Sequence, residues 1–153
     1  MKKILLTVLI MFFGLGAFAS EKEALDFFNN YAKASNNYSA EVLSMYSNNA
    51  KIIRQVVKPN GELVNIPFSV KDYRKQLKIS SKLAKIRNYK NYYSDIKVTK
   101  IADKYKIEAK RKPSLSDYKL RTSMVLQQQP DGKLLIVEEL MQTKEQIFLK
   151  YAK

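Results

Sequence analysis

The sequence contains no cysteine, no histidine and no tryptophan, and only four glycines and four prolines. Without cysteine no disulfide can brace the chain and no lipid can be joined to a thiol, so the fold stands on packing alone. Without histidine the chain loses the usual general base near neutral pH, the commonest metal ligand and every Ser-His or Cys-His nucleophile pairing. The remaining acids show neither a zinc pattern nor a calcium loop, so no metal and no cofactor is expected. Acid is also scarce: 14 Asp and Glu stand against 28 Lys and Arg, a formal charge of +14.

What is present begins with an export signal. Lys2 and Lys3 form a positive start, Ile4 to Phe13 an apolar run, and Ala17-Phe18-Ala19 a small-x-small cleavage site, so residues 1–19 read as a leader cut after Ala19. The run is interrupted by Gly14 and Gly16 and falls short of the ~20 residues that cross a bilayer. The expected location is periplasmic or secreted. Cleavage removes two lysines and no acid, leaving residues 20–153 with a balance of +12, one domain's length of chain. Outside the cytoplasm that excess would attract phospholipid headgroups, lipopolysaccharide, acidic glycans or a partner protein, or it would simply solvate the surface.

Along the remaining chain the periodicity changes twice. Ser20-Glu21-Lys22-Glu23 has the form of a capping box, followed by Ala24, Phe28 and Tyr31 at helical spacing, and Ser39 can cap a short helix ended by Ser47-Asn48-Asn49. β-Branched residues from Lys51 predict a hairpin turning at Pro59-Asn60-Gly61, with Pro67 closing its second strand. Phe68-Ser69-Val70-Lys71-Asp72-Tyr73 supplies a cap, its acidic third position and a hydrophobic staple for a helix reaching about Lys85. Four strands follow, turning at Ala102-Asp103-Lys104 and Pro130-Asp131-Gly132, with a longer loop from Pro113 to Asp117 and the third strand starting at Tyr118. The last, Leu134-Leu135-Ile136-Val137, is apolar on both faces and should lie near the centre of the sheet. Thr143 and Gln146 resemble a final capping box. The class is α+β: three helices in the N-terminal half packed in the concave face of a curved, mostly antiparallel sheet.

The stretch from Leu25-Asp26-Phe27-Phe28 to Leu43-Ser44-Met45-Tyr46-Ser47-Asn48-Asn49-Ala50-Lys51-Ile52-Ile53 resembles the opening of nuclear transport factor 2-like domains. The resemblance implies a cystatin-like cone with a pocket between sheet and helices, often dimeric, used for catalysis, ligand binding or protein contact. Fold alone does not choose among these. Ketosteroid isomerases share the implied fold, but no residue here matches their catalytic positions by motif.

Three sets of residues are candidates for function. Glu138 and Glu139 are neighbours on a strand, so one faces the interior, where it would act as a base or pair with Arg54, Arg74 or Lys78. Phe27, Phe28, Tyr31, Tyr73, Met124 and Ile136 would line an apolar pocket. Lys97, Lys106, Lys110, Lys119 and Arg121, with Thr99, Glu108 and Ser123, would share the outer sheet face. Two such faces could not stack without acids or an anion between them, so the chain is a monomer, or a homodimer formed elsewhere, or this face meets an anionic partner, unless it is simply a solvated lysine face that discourages aggregation. Arg87 to Tyr93 interleaves bases and rings as nucleic-acid binders do, but export and the lack of a recognition motif count against that partner. The leading expectation is an exported, non-catalytic binding or interaction domain for an anionic envelope component or partner protein. Its rivals are an isomerase, dehydratase or cyclase using a carboxylate and a tyrosine, and a subunit of an envelope assembly.

Overall fold

The computed structural model describes residues 18–152. Most of the expected leader, up to Ala17, lies outside the described residues. Ala19 itself touches the fold: its amide donates to Gln128 Oε1 at 3.0 Å, and its carbonyl accepts from the Tyr105 hydroxyl.

Two α-helices and a 3-10 helix lie in the N-terminal half, interleaved with a hairpin. Helix α1 (Glu21–Asn36) opens with the expected reciprocal box, Ser20 Oγ accepting from the Glu23 amide at 3.2 Å and Glu23 Oε2 from the Ser20 amide at 2.6 Å. A 3-10 helix (Ala40–Met45) is capped by Ser39. Helix α2 (Val70–Ile86) is capped by Ser69, whose Oγ accepts from the Asp72 amide at 3.1 Å. Six strands, β1 (Tyr46–Val57), β2 (Leu63–Phe68), β3 (Asn91–Ile101), β4 (Lys104–Pro113), β5 (Leu120–Gln128) and β6 (Leu134–Thr143), form one curved sheet in the order β2-β1-β6-β5-β4-β3. All neighbours are antiparallel except β1 and β6. The strand that is apolar on both faces, β6, is internal, as its composition predicts.

Helix α1 packs on β3 and β4, and α2 on β1. Between helices and sheet lies one core, in which Ile52, Val56, Ile66, Leu126 and Ile136 are fully buried. Each such side chain contributes roughly 1.5–3 kcal/mol by leaving water. A 3-10 helix (Gln146–Tyr151) closes the far edge, setting Phe148 and Tyr151 edge-on to Phe68 at 6.0 and 5.7 Å.

Four local expectations need correction. Ser47-Asn48-Asn49 do not end a helix; they lie in β1, where the pairing to β6 slips between Tyr46 and Lys51 and the two asparagines stay exposed. Pro67 lies within β2, opposite Ile53, which is tolerated because β2 is an edge strand with no neighbour to receive the missing N–H. The β4–β5 ladder ends at Arg111↔Leu120, so Tyr118 and Lys119 precede β5 instead of alternating within it. Thr143 and Gln146 make no capping box: Thr143 Oγ1 accepts from the Glu145 amide, and the Gln146 amide donates to the carbonyls of Val57 and Lys144.

Candidate functional site

Among the described residues the chemistry of the interior centres on Glu139, 2% exposed on β6. Its aim depends on a bulge. Leu126 pairs with Ile136 but Val125 with Glu138, so Val137 is the extra residue and Ile136 and Glu139, three apart, both face inward. Glu138 is left exposed on the opposite face.

Every oxygen of the Glu139 carboxylate is engaged. Oε1 accepts from Arg54 Nη1 at 2.6 Å, and Arg54 is itself only 6% exposed. Oε2 accepts from the Tyr46 hydroxyl and, at 3.4 Å, from that of Tyr31. Tyr46 has one hydroxyl proton and gives it to Glu139, so its contacts with Tyr73 at 3.3 Å and Tyr31 at 3.2 Å have those hydroxyls donating to the Tyr46 oxygen, Tyr31 dividing its one proton between Tyr46 and Glu139. The rings carry the network onward, with Tyr73 edge-on to Tyr46 at 5.2 Å, Tyr46 to Tyr31 at 6.4 Å, and Phe28 against Tyr31 at 6.5 Å and Tyr93 at 5.1 Å. The Arg54 guanidinium stacks over the Tyr73 ring, 4.8 Å from its centroid.

The electrostatics follow from burial in a charged cluster. Desolvation, then the Glu139 charge, raises the hydroxyls of Tyr31 and Tyr46 well above their ordinary 10.0, and the same two causes raise Tyr73. Burial works against the Arg54 charge, but its neighbours, Tyr73 first and Glu139 next, outweigh it and hold its pKa above the ordinary value. A general base needs a free lone pair and a substrate within reach. At Glu139 three of the carboxylate's roughly four acceptor positions are already taken, one of them by a guanidinium, so it forms an ion pair within the core.

The six residues read as pocket lining pack as core. Phe28, Tyr31, Tyr73, Met124 and Ile136 are buried in one cluster and Phe27 is half-buried against it. Two surface hollows of about 280 and 400 Å³ are lined by other residues, one by Phe18, Ala19, Tyr105 and Gln128 and the other by Val70, Arg74, Lys75 and Lys78. Of the partners anticipated for the inward glutamate, Arg54 is the one it meets. Arg74 instead donates to the carbonyls of Leu43 and Tyr46 and to Asn48, tying α2 to the start of β1.

On the outer face the strands bring together Lys97, Lys106, Lys110 and Arg121, with Lys119 just before β5. The face is less bare than its lysines suggest. Glu108 bridges Lys106 at 3.0 Å and Arg121 at 2.9 Å, and Asp95, turned out by a bulge in β3 with φ +54°, meets Lys110 at 2.9 Å. Ser94 and Lys97, and Ser116 and Lys119, have serine–lysine spacing, yet neither pair is hydrogen-bonded among the described residues, and Ser94 Oγ is buried without a partner.

One buried cation escaped the sequence reading. Arg111 is inward on β4 and donates to the Tyr89 hydroxyl at 3.1 Å, Asn91 Oδ1 at 2.8 Å and the Gln142 carbonyl at 2.8 Å, while its Nε finds no acceptor. The signal was available, since Tyr105, Ile107 and Ala109 set a period of two that places Arg111 inward.

The chain matches no protein-family profile and no curated protein. It is similar in structure to an NTF2-like protein of unknown function from Pseudomonas putida KT2440, with TM-score 0.61 at 9% identity over 78% of this chain and 83% of that one. The fold is that of the nuclear transport factor 2-like proteins. A nuclear transport factor 2-like protein with a cystatin-like fold from Novosphingobium aromaticivorans aligns with TM-score 0.57, 8% identity and 81% of each chain. A proposed ketosteroid isomerase from Shewanella frigidimarina NCIMB 400 aligns with TM-score 0.54, 16% identity, 81% of this chain and 98% of that one. At such identities the nuclear transport factor 2-like fold is what is shared, and function rests on the site.

Two outcomes test this description. Glu139→Ala strands the Arg54 charge and should cost about 3–5 kcal/mol in urea unfolding; a loss below about 1 kcal/mol, the scale of a surface pair, would contradict it. Because the folded-state tyrosine values lie above the unfolded ones, their stabilisation is fully present below the ordinary 10.0 and is lost as pH rises past it. Tyrosinate absorbance should therefore show Tyr31, Tyr46 and Tyr73 silent until the protein unfolds, and reversible ionisation of all tyrosines in the folded state would refute the cluster.

Proposed function

We propose that this chain is an exported, non-catalytic binding domain whose basic outer sheet face engages an anionic component of the cell envelope. The observation that supports the non-catalytic half is the engagement of Glu139: the buried carboxylate that could have served an isomerase as base is held by Arg54 and two tyrosine hydroxyls. The enzyme reading has a shared fold in its favour, through the proposed ketosteroid isomerase; against it, the one buried carboxylate among the described residues is ion-paired. The binding half draws on charge. Five cations on and beside the face stand against three acids, Asp95, Glu108 and Glu138, and Lys97 and Lys119 form no direct ion pair among the described residues, Lys119 acting on Asp95 only through its charge. Glu108 and Asp95 hold their basic neighbours in place, so the surplus charge sits on a rigid sheet. Export rests on the leader pattern of residues 1–19.

Protein purified gently from its host should appear in native mass spectrometry without a retained small molecule. A small molecule that leaves on denaturation would contradict a filled interior. Replacing Lys97 and Lys119 with Gln should weaken binding to lipopolysaccharide by roughly fivefold for each cation removed. Unchanged affinity would take the outer face out of the account.

A further inference from the structure

Helix α2 has a second face that the core does not use. Val70 and Tyr73 are buried, and Leu77 and Ala84 continue that side half-buried, but the opposite side carries Ile79, Leu83 and Ile86, which are 68, 53 and 81% exposed. Their spacing of i, i+4 and i+7 sets them in one stripe along the helix. Beside it runs a second row, Lys71, Lys75, Lys78, Lys82 and Lys85, again at helical spacing and all exposed. No ion pair among the described residues engages any of the five. The one acid of α2, Asp72, is committed to the Ser69 cap.

An apolar stripe bordered by unpaired lysines needs a partner that is oily and anionic together. A second copy packed through the same helix would bring another lysine row and only the cap-bound Asp72 to meet it, and three side chains fall far short of the ~800 Å² per partner of a stable interface. A lipid surface satisfies both demands: the stripe enters the acyl boundary while lysine stems reach back to the phosphates. The 17 residues of α2 span about 25 Å, long enough to lie along a membrane. No helix among the described residues is long and apolar enough to cross one.

We infer that α2 is an interfacial membrane-binding helix, seating Ile79, Leu83 and Ile86 in an anionic phospholipid bilayer with the Lys71–Lys85 row on its headgroups. This surface lies on the helical side of the sheet, away from the outer face, and the two can fail separately.

The test is co-sedimentation of the protein as its host produces it, its N-terminus read by intact mass, with phosphatidylethanolamine–phosphatidylglycerol vesicles and with pure phosphatidylcholine vesicles. Binding is expected to the anionic vesicles alone. The variant with Lys78→Gln and Lys82→Gln, which touches no core contact, should bind roughly thirtyfold more weakly. The variant with Ile79→Ser, Leu83→Ser and Ile86→Ser should lose sedimentation while keeping the wild-type circular dichroism. Binding unchanged in the lysine variant, as a retained leader would give, overturns the inference, and so does the absence of wild-type binding. A dimer mass abolished by the serine substitutions would assign the stripe to a second copy and overturn it too.

Discussion

A carboxylate taken out of water must find donors for both oxygens, and Glu139 finds them on separate elements of the fold. Arg54 comes from the middle of β1, Tyr46 from its first residue, Tyr31 from α1, and Tyr73 from α2 joins through Tyr46. Both helices and the two strands of the parallel pair therefore meet at one anion. Apolar burial supplies the bulk of the folding free energy, but the hydrophobic effect is itself non-directional. Hydrogen bonds to a buried charge are directional, and they fix where α1 and α2 sit. The contacts that order the interior of this nuclear transport factor 2-like fold are the same ones that support the non-catalytic reading proposed above.

Charge is distributed unevenly over the surface. The outer sheet face is laced by Glu108 and Asp95 into a braced, net-positive plate. The α2 row has no such lacing, and its lysines stand beside exposed isoleucine and leucine instead of acids. Braced cations suit a defined polyanion, and free cations beside oil suit a fluid anionic interface.

Local chemistry made much of this architecture readable. Ser20 with Glu23 and Ser69 with Asp72 announce helix starts within four residues, because caps are satisfied by near neighbours. Gly132, at φ +86°, marks the last hairpin where only a turn residue is comfortable. Long-range pairing was illegible. Nothing near Val137 says that β6 bulges there, yet that extra residue puts Glu139 on the face of Ile136; strict alternation would separate them. Tyr46 read as the end of a short helix, and its partnership with Glu139, 93 positions away, depends on the parallel pairing of β1 with β6. Arg54 was within reach as a partner because it falls on the inward period of β1. Arg111 falls on the inward period of β4 in the same way, but a lysine-rich surround disguised it as surface.

The central claim is that Arg54 and Glu139 are coupled as one buried structural unit. A double-mutant cycle with Arg54→Met, Glu139→Met and the pair of changes together, followed by urea unfolding, measures that coupling directly. Each single change leaves a buried charge unmatched, whereas the double change removes both charges and puts side chains of similar length in the core. The account predicts that the double variant is more stable than either single one, with a coupling of about 3 kcal/mol or more. Additive losses would contradict it, since they would mean that Glu139 does not depend on Arg54 and is free to do something else.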